Sequence, residues 1–268
     1  MGLRLAVAAT TLALANPAGY VHSHQAVSGG FAEPGQRATP GLTAWAVLGL
    51  AASGEDSGAA HDYLVAHERE LETATDVELA VLAESVTGGA SPALVVRLRA
   101  LVRPTGAIGP ALNSTYWGVL AFRQASIAPP PSTAGFIVRR QTRSGGWAWL
   151  AGTGPDSNDT AAAIQALRAL AVRGSPIARG LAYVRARQRP DGGFELSPGR
   201  GSDSQSTAWA IQAFVAAGRR PPAAAFRYLA RMRRADGSYR YNARYVSTPV
   251  WVTSQVLPAL ARTAFPLR

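Results

Sequence analysis

The chain contains no cysteine and no lysine, and only 2 methionines. Without cysteine there are no disulfides, zinc–thiolate sites, thiol nucleophiles or iron–sulfur clusters. The compartment stays open, since a secreted protein can do without disulfides. All 27 basic residues are arginine, a pattern that, with so much Ala, Gly and Pro, marks a coding bias towards G and C. Long apolar runs are missing beyond the N-terminus: every later one is broken by Arg, Gly or Pro, so no transmembrane helix is predicted. Also missing are a phosphate-binding Gly loop, a Ser–His–Asp set and a nucleophile elbow. Zinc-finger spacing, an aromatic RNA-binding signature and a basic heptad helix are absent too, so no nucleic-acid partner is expected. The four histidines, His22, His24, His61 and His67, show no carboxylate–histidine metal spacing, so neither a metal nor a cofactor is expected.

What is present is a globular composition. Hydrophobic residues make up 47% of 268, enough for one domain with a large core. Charge is unevenly spread: residues 1–96 hold 3 Arg against 10 acids, whereas residues 97–268 hold 24 Arg against 6. The Arg-rich second half is either a solvated surface or a face for an anionic surface or an acidic partner. Pro129, Pro130 and Pro131 read as a stiff surface loop between the halves.

Residues 1–15 have the layout of a secretory signal peptide. Arg4 precedes an apolar run from Leu5 to Ala15, and Ala13 and Ala15 are small residues placed for cleavage. That reading predicts a secreted or extracytoplasmic protein, with residues 16–268 as the folded part. The run is too short to span a membrane.

Internal repetition carries the fold. "QAVSGGF" at Gln25, "QTRSGGW" at Gln141, "QRPDGGF" at Gln188 and "RRADGSY" at Arg233 share one pattern. A polar residue is followed by a small-residue turn and then by Phe31, Trp147, Phe194 or Tyr239. "VRPTGAI" at Val102 is a degraded copy. After each turn comes an apolar block: "TAWAVLGL" at Thr43, "TYWGVLAF" at Thr115, "TAAAIQAL" at Thr160, "TAWAIQAF" at Thr207 and "PVWVTSQV" at Pro249, with "TDVELAVL" at Thr75 as a weak sixth. These blocks are helices apolar almost all round, as helices buried on both sides are. The segments before the turns are amphipathic, with arginines on one face. Six outer and six inner helices without polar terminal units predict two concentric rings.

The chain resembles the α/α toroids of the terpenoid cyclase and protein prenyltransferase superfamily, and its turns resemble the Gln–Trp-type repeats of squalene–hopene cyclases. The resemblance covers essentially everything after about residue 19. It implies an all-α, single-domain α/α toroid of six helical hairpins. It also implies a structural role for Gln25, Gln141, Gln188 and the aromatics Phe31, Trp147, Phe194 and Tyr239, the Gln amide tying an outer helix to its neighbour. Arg233 and Val102 depart from the pattern.

"DSNDTA" from Asp156 resembles the Asp-x-Asp-Asp-Thr-Ala acid motif of class II cyclases, whose middle Asp protonates an alkene. Here Asn158 stands in that place, and a carboxamide cannot release a proton. Asp156 and Asp159 lie near a helix N-terminus, which favours the ionised form and not an acid. The resemblance also implies an active site between two toroids, of which this chain supplies one. The bland alternative is helix capping by Asp156 or Asn158, as Asp203, Gln205 and Ser206 or Asn113 and Ser114 would cap the parallel helices.

Inside such a ring a depression is expected at the N-terminal ends of the inner helices. Asn113, Asp156, Asn158, Asp159, Asp203 and Gln205 would form its rim. Trp45, Trp117, Trp209 and Trp251 fall two residues into their blocks, and Gln165 and Gln212 three residues beyond that slot. These residues either pack the core or line a pocket. Phe265 is expected to staple the last helix to the first unit. The reading is an exported repeat protein that binds an apolar, isoprenoid-like or amphipathic ligand and has no catalytic residue. Two alternatives stay open: a squalene-type cyclase and a protein–protein interaction scaffold.

Overall fold

The structure is a computed structural model and describes residues 16–267. The leader read in residues 1–15 lies outside the described residues. Six helical hairpins follow one another. The outer helices are α1 (Pro17–His22), α3 (Ala60–Ala66), α5 (Pro92–Ala100), α7 (Thr133–Arg139), α9 (Ser175–Arg185) and α11 (Ala223–Met232). The inner helices are α2 (Pro40–Ala52), α4 (Ala74–Thr87), α6 (Leu112–Gln124), α8 (Ser157–Ala169), α10 (Ser204–Ala216) and α12 (Pro249–Leu260). Each inner helix packs on the next, and α12 packs back on α2, so the ring is closed. Outer helix α1 lies against α12, which seals the same seam from outside. Among the described residues no helix is long and apolar enough to cross a membrane.

The repeated turns work through one shared hydrogen bond. The N–H groups of Phe31, Ile108, Trp147, Phe194 and Tyr239 donate to the hydroxyls of Thr43, Thr115, Thr160, Thr207 and Thr253, at 2.9 to 3.0 Å. All five side chains in the aromatic slot are buried. Gln25 and Gln141 reach across to the next hairpin, donating from Nε2 to the carbonyls of Ser57 (2.7 Å) and Pro176 (2.9 Å). Gln188 donates to Gly192 O within its own turn.

That hydrogen bond also corrects the reading of the sixth block. Thr253, not Pro249, is the counterpart of the other threonines. Pro249 is the first residue of α12, and no side chain of its own N-cap residue, Thr248, caps the helix. Helix α4 differs as well: Thr73 and Asp76 form a reciprocal capping box, and Thr75 does not occupy the threonine slot.

Closure of the ring depends on close approach. At Gly49 in α2 a Cβ would lie 2.5 Å from the carbonyl oxygen of Ser254 in α12, so only glycine admits this contact. On the mouth side, N–H groups of α6, α8 and α10 are received by backbone carbonyls of the following hairpin. Leu112 and Asn113 donate to Trp149 O, Ser157 to Leu196 O and Ser204 to Tyr241 O. The loop carrying Leu196 leaves the short antiparallel pair β1 (Phe194–Glu195) and β2 (Ser202–Asp203).

Candidate functional site

The axis of the ring is filled by aromatic side chains. Trp45 in α2, Trp117 in α6 and Trp209 in α10 belong to alternate inner helices that do not neighbour one another. Their rings nevertheless meet edge to face, with centroids 5.4, 6.0 and 5.3 Å apart. Three helices spaced round a ring can touch in this way only at its centre. Edge-to-face pairs of this kind contribute about 0.5–1.5 kcal/mol each beyond area burial.

Trp251 does not belong to this layer. The shift of the sixth block puts Gln255 in the corresponding slot, two residues after Thr253, and its Oε1 accepts from Trp209 Nε1 at 2.9 Å. Trp251 is half-buried at the mouth, where its N–H is held by Glu33. The expected four-tryptophan set is therefore three tryptophans and a glutamine.

Phe265 also departs from expectation. It does not join the last helix to the first unit. The tail after α12 folds back under the tryptophan layer, and the Phe265 ring lies 6.2 Å from both Trp117 and Trp209. Gln165 Oε1 accepts the Phe265 N–H at 2.8 Å. At the lower edge Gln124 accepts from Leu267 N (2.7 Å) and donates to Leu267 O (3.1 Å). An open cleft of about 410 Å³ runs beside this tail, bounded by Gln165, Arg168, Val215, Thr263, Phe265 and Pro266.

Three glutamines of the inner helices, Gln165, Gln212 and Gln255, are each at most 1% exposed. Gln165 and Gln212 occupy the same slot in the adjacent helices α8 and α10. Gln212 has no partner for either polar atom, and the Nε2 groups of Gln165 and Gln255 are also without one. A buried polar group left unpaired costs about 1–3 kcal/mol, so each such atom calls for an explanation.

At the rim the polar residues divide by role. Asp156 is the N-cap of α8 and accepts from Asp159 N at 2.8 Å; Asp203 does the same for α10, accepting from Ser206 N at 2.7 Å. Asn158 and Gln205 sit one step further in, half-buried, on the mouth side of their helices. Asn113 is not a cap. It lies in the first turn of α6, whose N-cap position is Ala111.

The carboxyl of Asp159 is held well above the usual carboxylate range, first by burial and then by Asp156 beside it, with which it shares a hydrogen bond. Burial and the neighbouring carboxyl thus oppose the helix dipole and favour the protonated form, contrary to the ionised form expected from its place in the sequence. A protonated carboxyl is the state a general acid requires, so it is the amide of Asn158, and not Asp159, that speaks against proton donation. Burial also pushes Asp203 up, to about 6. No group of three or more His, Asp or Glu residues that could hold a metal occurs among the described residues.

The arginines gather elsewhere. A surface cleft of about 550 Å³ beside the sixth turn is lined by Arg231, Arg233, Arg234 and Arg240, with Asp236 as its one carboxylate.

No family profile and no curated protein matches the chain. Solved structures do. A variant of the type II terpene cyclase MstE from Scytonema, in complex with geranylgeranyl dihydroxybenzoate, superposes with a TM-score of 0.69 at 14% identity, over 92% of this chain and 95% of that one. ent-Copalyl diphosphate synthase from Streptomyces platensis gives 0.59 at 17% identity, over 83% of this chain and 50% of its own. Candida albicans protein geranylgeranyltransferase-I, complexed with GGPP, gives 0.58 at 12% identity, over 82% and 83%. The fold is thus the α/α toroid that these enzymes share. One ring of this size spans nearly all of a type II terpene cyclase chain, so the lack of a second toroid is no argument against cyclase chemistry. The argument that remains is chemical and rests on the amide of Asn158.

Proposed function

We propose that this protein is a binding module that holds an apolar or amphipathic, isoprenoid-like molecule on the axis of its ring, without catalysing its cyclisation. The observation that carries the reading is the layer of Trp45, Trp117 and Trp209 meeting at the axis. Aromatic faces and edges offer a large apolar contact of low conformational cost. Toroids of the same fold are known with geranylgeranyl compounds bound, among them an Asp-to-Asn variant of MstE with its substrate. In this chain Asn158 takes the place where class II cyclases have their acid. An amide there preserves shape and hydrogen bonding while removing the proton.

Phe265 occupies part of the axial space, so a ligand enters when the tail moves aside. Titrating the protein with farnesol while following tryptophan emission tests this. Saturable quenching with a defined stoichiometry supports binding. Its absence, both in the parent and in a Phe265→Ala variant, overturns it. A mass-spectrometric inventory of co-purifying small molecules would name the natural ligand.

The filled axis favours a second reading, a protein interaction scaffold that takes no small ligand. A featureless titration would select it. Export belongs to the proposal too, on the layout of residues 1–15; N-terminal sequencing of protein recovered outside the cytoplasm tests it.

A further inference from the structure

We propose that Gln165, Gln212 and Gln255 form the recognition site for the head group of the bound molecule, and that this head is neutral and oxygen-bearing — an alcohol or a carbonyl, not a phosphate ester. The inference rests on the binding-module reading and specifies its ligand.

Position comes first. Gln255 is tied to Trp209 through its Oε1, and Gln165 is tied to the Phe265 backbone through its Oε1. Gln212 lies three residues after Trp209, about one helical turn deeper on the same face. All three amides therefore surround the space where the tryptophan layer meets Phe265, and the cleft beside the tail reaches Gln165.

Hydrogen-bonding capacity sets the chemistry. The two acceptors already used leave three –NH₂ groups and one carbonyl, that of Gln212, unsatisfied. The set is rich in donors, so the complementary head offers acceptor oxygens and at most one donor. A hydroxyl or a carbonyl fits.

Charge decides the rest. The slots of the inner helices at the levels of Trp209 and Gln212 hold Trp, Leu, Ala, Gln and Pro258, and no Arg, Asp or Glu; Arg168 lies about one turn further on. An ionised head brought there would lose its hydration, and the arginine at the cleft beside the tail, Arg168, is already engaged, donating to the carbonyls of Ala216 and Val172. The arginines line an outer cleft beside the sixth turn instead.

The test compares three probes of equal chain length, farnesol, farnesyl diphosphate and the hydrocarbon farnesene, by tryptophan quenching. The parent and Gln212→Leu are measured side by side, with circular dichroism to verify folding. Farnesol is expected to bind at least ten times more tightly than farnesyl diphosphate. Gln212→Leu is expected to weaken farnesol five-fold or more and to leave farnesene unchanged. Gln212→Met, closer in length and flexibility, should repeat the result if the leucine variant folds poorly. Equal or tighter binding of the diphosphate overturns the inference while leaving the binding module in place. So does a farnesol affinity indifferent to the Gln212 variants, the outcome if the amides only hold buried water. If none of the probes binds even when Phe265 is removed, the binding reading itself falls, and the inference with it.

Discussion

The carboxylate of Glu33 accepts the N–H groups of Val250 and Trp251 at 3.0 and 2.8 Å, joining the first hairpin to the last inner helix. Along the ring, α6, α8 and α10 have their first N–H groups received by a backbone carbonyl of the next hairpin. At the seam a side chain of the first repeat does that work. Glu33 is 8% exposed, and the charge at a helix N-terminus is of the favourable sign.

Glu33→Ala is therefore expected to weaken closure in a way that no equivalent residue in another repeat would. Two amides lose their acceptor at a buried helix start, which costs about 2–4 kcal/mol. Urea denaturation measures it. A loss no greater than that of an ordinary surface substitution would show that the seam is held by packing alone.

Gly49→Ala tests the same seam from inside the ring. The added methyl would meet the Ser254 carbonyl at 2.5 Å, so α2 and α12 must separate. Overpacking of this kind costs about 1–3 kcal/mol. Unchanged stability would mean that the two helices part easily and that closure is loose.

Phe265→Ala removes the ring that lies beneath Trp117 and Trp209. A buried Phe→Ala change destabilises by about 3–5 kcal/mol, and by less where the site collapses. The informative part has the opposite sign: farnesol should bind several-fold more tightly, because its competitor is gone. Weaker binding would assign Phe265 to the binding surface and not to a plug.

Incubation of the parent protein with squalene or a polyprenyl diphosphate should yield no cyclised product. Asn158, in the place of the acid in the resembling motif, has no proton to give. Any cyclised product detected by gas chromatography would overturn the non-catalytic reading.

Stability should fall as pH rises from about 4 to about 8. Asp203 is raised to about 6, mainly by burial, and Glu84 to about 7 for the same reason. A carboxyl whose folded pKa exceeds its unfolded one binds its proton more tightly in the folded state. Its contribution is complete below the unfolded value, near 4, and is lost as pH passes through the folded one. For Asp203 the change is on the order of 2–3 kcal/mol. Asp203→Asn keeps a capping acceptor and should flatten the pH dependence near 6. A thermal unfolding profile as steep as the parent's would show that other groups set it.

Much of the ring was legible in the order of residues. The turn pattern ending in Phe31, Trp147, Phe194 and Tyr239 repeats locally, and a threonine about a dozen residues later receives each turn's N–H. Both partners lie within one hairpin, so a single repeat of sequence contains them. The sixth block was misaligned because its Pro–Val–Trp imitates the Thr–Ala–Trp of its sisters, while the true threonine, Thr253, lies four residues on. Nothing short of the bond to Tyr239 N distinguishes the two.

The sequence alone determined six hairpins and an apolar inner ring, because each is written in neighbouring residues. Tertiary structure decided what occupies the axis. Trp45, Trp117 and Trp209 come from alternate helices, not adjacent ones, and they meet only because the ring closes to a particular radius. The tail finds Gln165 and Gln124 across 100 and 143 residues of chain. The upward shift of the Asp159 carboxyl follows first from burial, which depends on every element packed around it. Local periodicity records which face of a helix is apolar; the distance across a ring is a sum over all its members, and no single repeat carries it.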